Sequence, residues 1–268
     1  MLVNFSIENF RSYFEEANCS FIKGKEQNLN ESIIKATADK EYKLLPLKII
    51  YGVNASGKSN FIKSLQVLKK IILNGCIKGE INGMYDLLIN NISSCHFIHN
   101  YTKFKKPIKF NISFIENRKL FNYILHLGVI DLNNNFDSVV SYEELNINNC
   151  CIFKREDNNF IFNPDNSKDF DKYIKNDMSF VKSLEEILNS SERKYDIFTK
   201  WFDTSKDLIE EIKNWFNNGL RIYDRIDKQV KYLANDTNND NNDKGTAVLN
   251  KLLFDLVKEA DFAFKSTM

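Results

Sequence analysis

The sequence predicts an α/β fold, and three patterns predict it. A short β-branched run enters a glycine-rich loop that opens an amphipathic helix. Period-two strands follow in the middle third, and from about residue 167 apolar residues fall at helical spacing.

The elements run in this order. Phe5, Ile7 and Asn9 alternate with Asn4, Ser6 and Glu8 as a first strand, and Phe21-Ile22 closes a second extended run. Residues 23–43 read as a loop with one short strand near Ile33-Ile34. Residues 44–51, with Leu47, Ile49, Ile50 and Tyr51, read as a short buried strand entering Gly52. Phe61, Ile62, Leu65, Leu68, Ile72 and Leu73 give residues 59–73 a helical stripe, ended by Gly75. Residues 74–106 are irregular. Ile108, Phe110, Ile112 and Phe114 begin an antiparallel meander of four or five strands reaching Phe162. Helical faces follow at Phe180, Leu184, Ile187 and Leu188, at Ile209, Ile212, Trp215 and Phe216, and at Leu220, Ile222, Ile226 and Tyr232. Residues 235–243 form an Asn/Asp-rich linker before a last helix over about 247–260.

Composition bounds the function. With 268 residues and 43% hydrophobic content, the chain holds one large domain or two small ones. A net charge of +1 excludes a strongly basic nucleic-acid coat and an acidic tail. The 22 phenylalanines exclude a wholly disordered chain. No apolar run approaches the roughly 18 residues needed to span a bilayer, and Met1-Leu2-Val3-Asn4-Phe5 lacks the pattern of a signal peptide. The expectation is a cytoplasmic protein without a membrane partner. Asparagine and lysine are heavily used and arginine is scarce, a bias read as codon usage rather than chemistry.

Cys19, Cys76, Cys95, Cys150 and Cys151 are odd in number and form no C-x-x-C, which argues against a disulfide framework or a zinc ribbon. Cys95-His96-x-x-His99 lacks the second half of a four-ligand site. His126, inside an apolar stretch, reads as a packed strand residue. Glu143-Glu144 ends a strand and reads as a solvated pair.

One motif carries chemistry. Gly52-Val53-Asn54-Ala55-Ser56-Gly57-Lys58-Ser59 matches G-x-x-x-x-G-K-[ST] between a predicted strand and a predicted helix. The glycines let successive N–H groups surround a phosphate, and the helix N-terminus adds free donors and a positive dipole end. Lys58 supplies the mobile charge for the β- and γ-phosphates and is the candidate catalytic residue; the Ser59 hydroxyl would complete a Mg²⁺ shell. The loop itself does not distinguish ATP from GTP.

Ser6-Ile7-Glu8-Asn9-Phe10-Arg11-Ser12, followed about forty residues later by Tyr51 to Lys58 of the motif and then Ser59-Asn60, resembles the start of the ABC-type ATPases related to SMC, RecF and OLD proteins. It is most similar to bacterial AAA family ATP-binding proteins of the RloC/OLD-like type found in anti-phage loci. The resemblance implies ATP as nucleotide, bound by residues Gly52, Val53, Asn54, Ala55, Ser56, Gly57, Lys58, Ser59 and Asn60, with Arg11 near the phosphates. It also implies an antiparallel lobe after the P-loop helix, whose end Tyr142-Glu143-Glu144-Leu145 and Ile152-Phe153-Lys154-Arg155 resemble.

The sequence departs from that family in lacking, in family order, a signature loop, a hydrophobic strand ending in Asp-Glu (Walker B) and a switch histidine. Asp131 after Leu127-Gly128-Val129-Ile130 is a weak alternative Mg²⁺ carboxylate, and Asp243-Lys244-Gly245-Thr246 a faint echo of a signature loop. The expected architecture is a P-loop NTPase N-terminal lobe with an antiparallel β meander over residues 1–165, and a C-terminal helical segment over 166–268. The expected function is ATP-Mg²⁺ binding, with hydrolysis incomplete in this chain alone and the missing motifs supplied by a homodimer mate or a second chain. Alternatives are a stand-alone P-loop kinase or GTPase using Asp131, and a non-hydrolysing DNA-associated assembly subunit, for which Lys103, Lys105, Lys106 and Lys109 around Phe104 are the candidate patch.

Overall fold

A computed structural model describes residues 1–24, 33–54, 56–75, 106–132, 135–156, 159–162, 174, 178–189 and 199–222. Two strands open the chain, β1 (Leu2–Glu8) and β2 (Ala17–Ser20), followed by a separate hairpin of β3 (Ile34–Thr37) and β4 (Glu41–Leu44). Helix α1 spans Lys58–Asn74. The meander then runs β5 (Ile108–Glu116), β6 (Lys119–Leu132), β7 (Asn135–Ile147), β8 (Cys150–Glu156) and β9 (Asn159–Phe162). Helices α2 (Phe180–Asn189) and α3 (Thr199–Asn214) follow, and α3 runs into a π-helical turn at Trp215–Gly219.

Seven strands form one sheet in the order β2-β1-β5-β6-β7-β8-β9, with every pairing antiparallel. The meander was legible from its alternation, and the pairing of β1 with β5 completes it, Phe5 facing Ile112 and Glu8 facing Lys109. Because side chains alternate between faces, one face collects Phe5, Ile7, Phe110, Ile112, Phe114, Phe121, Tyr123 and Leu125. Against it pack the α1 stripe Phe61, Leu65, Leu68, Ile71 and Ile72, then Phe180 and Leu184 of α2 and Ile209 and Ile212 of α3. Trp215 stacks on Phe114 at 3.9 Å, and Phe114 on Phe121 at 5.0 Å. Each large apolar side chain so buried contributes about 1.5–3 kcal/mol. The opposite face is mostly polar. One register row crosses five strands as Glu8, Lys109, His126, Tyr142 and Glu156.

Residues Met1–Ile222 make one compact unit. The linker at 235–243, the last helix, Cys76, Cys95, His96 and His99 lie outside the described residues. Among the described residues no His/Cys/Asp/Glu group is arranged to hold a metal, and no helix is long and apolar enough to cross a membrane.

Two expectations are corrected. Residues 44–51 do not form a buried strand. Leu45 N–H reaches Phe21 O at 2.7 Å, after which the run leaves the edge of β2. Ile49 and Tyr51 are then 67% and 85% exposed. A strand is defined by its neighbours, and no described strand flanks this run; its apolar, β-branched composition alone does not make one. Instead the chain builds the β3–β4 hairpin, whose Tyr42 and Leu44 pack with Val3 and Ile115.

Glu143 is also not solvated. Glu143 and Arg155 are both fully buried and paired at 2.6 Å. The Tyr123 hydroxyl donates to the same carboxylate, and Phe180 N–H at the start of α2 donates to both its oxygens at 2.9 and 3.0 Å. Arg155 Nη2 donates to Met178 O at 2.7 Å. Burial and the neighbouring Glu143 charge push the Tyr123 hydroxyl well above its usual pKa, so it stays a donor. Replacing one partner strands the other charge in the core. Glu143→Gln is therefore expected to cost about 3–5 kcal/mol in urea unfolding. Adding Arg155→Met, which removes the stranded charge while the amide oxygen at position 143 still accepts from Phe180 N–H and the Tyr123 hydroxyl, is expected to recover part of that loss; no recovery in the double variant would refute the assignment.

His126 stacks on Tyr142 at 4.8 Å, with Lys109 and Glu8 beside it. Burial and the Lys109 charge, opposed by Glu8, lower its pKa from 6.5 to about 4. Below pH 6.5 the unfolded chain takes up this proton and the folded one does not, so stability is lost as pH falls from 6.5 toward 4. Above pH 6.5 the residue contributes nothing to the pH dependence. With a discount for partial exposure the expected loss is about 1–2 kcal/mol. His126→Asn is expected to flatten the urea midpoint between pH 7 and about pH 4.5.

Candidate functional site

The glycine-rich loop sits where the exposed run meets α1. Gly57 is the N-cap of the helix at φ 93° and ψ 0°, in the left-handed region that favours glycine. Its carbonyl accepts from Asn60 N–H at 2.8 Å and Phe61 N–H at 3.1 Å, which starts the helix. At the other end Gly75 caps α1 with its N–H on Ile71 O. Lys58 Nζ turns back over the loop and donates to Gly52 O at 2.6 Å and Val53 O at 2.7 Å, with Ser56 Oγ at 3.4 Å. Ser56 N–H closes a turn onto Val53 O. Val53, Asn54, Ser56 and Ser59 are exposed, and Ala55 lies outside the described residues.

A second element reaches the loop. Between β1 and β2 the chain makes a tight turn in which Phe10 and Tyr13 exchange backbone hydrogen bonds at 2.9 and 2.8 Å. Arg11 and Ser12 form its tip, Arg11 at φ 49°. Asn9 Nδ2 anchors the turn to Lys106 O at 2.7 Å, and Phe10 is buried edge-on against Phe110. From the tip, Ser12 Oγ accepts from Asn60 Nδ2 at 2.9 Å, and the Tyr13 hydroxyl donates to Gly57 O at 3.1 Å. Phe61, one residue past Asn60, lies edge-on to both Phe5 and Tyr13.

The structure thus brings Gly52, Gly57, Lys58 and Asn60 together with the turn that carries Arg11. Arg11 Nε is buried without a hydrogen-bond partner, and its guanidinium stands 5.8 Å from the Phe10 ring. Asp131 is not brought here by its backbone, which lies in β6 opposite Phe136. The segment 243–246 is outside the described residues, as are Lys103 and Lys105 of the basic cluster; Lys106 is exposed and Lys109 is paired with Glu8 at 2.9 Å. Sequence reasoning missed Ser12 and Tyr13. The signal was present as two residues following Arg11 in the same turn, but their contact with α1 spans more than forty positions.

Residues 48–264 match the family model described as "AAA domain, putative AbiEii toxin, Type IV TA system". No curated protein matches the sequence. The matched segment covers most of the chain and begins four residues before Gly52, so the chain belongs to this family of AAA-type, P-loop ATPase domains. Membership carries a nucleotide-binding, ATPase-type function.

A Cβ at position 57 would stand 2.5 Å from Ser12 Oγ, on a backbone at φ 93°. Gly57→Ala is therefore expected to cost about 1–3 kcal/mol in thermal unfolding. Gly24→Ala, where nothing lies within 4 Å, serves as the neutral control.

Proposed function

We propose that this AAA-family chain binds ATP with Mg²⁺ through loop 52–59 and works as an ABC/SMC-like ATPase of the RecF, OLD and RloC-like kind, in an anti-phage or DNA-related complex. The observation that carries the reading is the loop itself, a G-x-x-x-x-G-K-S segment with Gly57 in the left-handed region and the Lys58 ammonium held over the carbonyls of Gly52 and Val53. The exposed loop and the start of α1 supply N–H donors for the phosphates. Lys58 swings from its own carbonyls to the β- and γ-phosphates. The exposed Ser59 hydroxyl would be the Mg²⁺ ligand, and Arg11, at the tip of the neighbouring turn, would bring its guanidinium charge toward the phosphates. The magnesium ion neutralises the phosphate charge.

Hydrolysis needs a carboxylate to orient the attacking water. Among the described residues no strand ends in Asp-Glu, and Asp131 belongs to the antiparallel meander. The exposed run at 47–51 supports the same reading, because strand-forming side chains stand beside the loop with no flanking strand among the described residues. A second chain or a homodimer mate supplies Walker B and the signature loop.

Titration with a fluorescent ATP analogue and Mg²⁺ tests this. Saturable binding that weakens about tenfold or more in Lys58→Ala, with negligible phosphate release by the chain alone, is the expected result. No binding at millimolar nucleotide, or binding indifferent to Lys58→Ala, would overturn it.

A further inference from the structure

We propose that Tyr13 is a positioning residue for phosphate binding: its hydroxyl fixes the Gly57–Lys58 peptide plane from outside the loop, with the Ser12–Asn60 hydrogen bond as a second tie. The proposal rests on the nucleotide-binding reading above and concerns what aims the loop's donors.

A trans peptide is planar, with its C=O and N–H pointing in opposite directions. Gly57 O accepts from the Tyr13 hydroxyl at 3.1 Å and from Asn60 N–H and Phe61 N–H at 2.8 and 3.1 Å. Holding that carbonyl toward the helix and Tyr13 therefore aims the Lys58 N–H away from them, off the helix N-terminus, where an anion is received. The two helical bonds alone leave the first turn free to fray, as helix ends do. The bond from Tyr13 adds a fixed point that does not belong to the helix.

Tyr13 is well placed to be that point. Its backbone is locked to Phe10 by two hydrogen bonds, and Phe10 is fully buried on Phe110. Its ring lies 6.0 Å from that of Phe61, which itself meets Phe5 of β1 at 5.2 Å. Asn9 pins the base of the turn to Lys106 O. The tip is pressed so close to the loop that Ser12 Oγ leaves no room for a side chain at position 57. The sheet thus reaches the phosphate-binding loop through residues 10–13. Asn60, which the sequence suggests as a nucleotide ligand, spends its side-chain amide on Ser12.

Tyr13→Phe keeps the ring against Phe61 and removes only the hydroxyl. The loss of one neutral hydrogen bond predicts about 3- to 10-fold weaker binding. The factor is expected to be the same for Mg·ATP and for Mg·tripolyphosphate, because the effect falls on the phosphates and not on the base. The melting temperature is expected to fall by no more than about 2–4 degrees, the cost of that one bond. Ser12→Ala is expected to weaken both ligands in the same way, by about 2- to 5-fold. Unchanged affinity in Tyr13→Phe while wild type binds both ligands overturns the proposal alone. A lower affinity for Mg·ATP with Mg·tripolyphosphate binding unchanged also overturns it, since the hydroxyl would then act on something other than the phosphates. Failure of wild type to bind either ligand overturns the nucleotide reading itself, and this proposal with it.

Discussion

The functional geometry depends on how helix α1 is held across the apolar face of the sheet. Its stripe of Phe61, Leu65, Leu68, Ile71 and Ile72 fixes which way it faces, but burial is not directional and does not fix where a helix ends. The ends are set by polar contacts. At the N-terminus Tyr13 and Ser12 bind Gly57 and Asn60. Near the C-terminus Ser179 Oγ donates to Ile71 O, and Lys69 Nζ reaches Leu220 O at 2.8 Å beyond the π-helical turn. Removal of Lys69 from water pulls its pKa down, an offset to the bond it makes.

The two clamps connect through the sheet. Glu143 lies in β7 and holds the first N–H of α2, and Ser179, just before that helix, touches α1. Tyr123 in β6 and Arg155 in β8 flank the carboxylate, so three adjacent strands converge on one buried charge. A hydrophobic cluster in its place would bury comparable area, but it would not specify where α2 begins, because only the carboxylate selects the Phe180 N–H. At the opposite edge of the meander, β1 delivers residues 10–13 to the P-loop. The same antiparallel sheet therefore positions both ends of the helix that carries Lys58.

What the sequence disclosed follows the range of the interaction. The meander was readable because Ile108, Phe110, Ile112 and Phe114 alternate locally, and α1 because its stripe and Gly75 are local as well. Gly57 and Lys58 stood out because the G-x-x-x-x-G-K-S pattern is contiguous. Glu143 looked solvated because its partners Tyr123, Arg155 and Phe180 come from other elements, and nothing beside it in the chain announces them. Ser12 and Tyr13 escaped for the same reason. The run at 47–51 misled in the opposite sense, its side chains having strand character where the described residues offer no strand partner.

That unpaired run bears on how the loop works. Lys58 is held by the carbonyls of Gly52 and Val53, and both residues belong to the exposed stretch rather than to the sheet. The N-terminal half of the loop thus has little to fix it besides Lys58, while the C-terminal half is fixed by the turn at 10–13. On the proposed reading, drawing Lys58 toward a phosphate would release those carbonyls and leave Gly57, held by Tyr13, where it is. On that reading, donors at the helix end would be in place before an anion arrives, and the ordering cost of binding would fall on Gly52, Val53, Asn54 and Ser56. A flanking strand laid against residues 47–51 would fix that arm too, and on the proposed reading nucleotide affinity would then depend on what pairs with this edge.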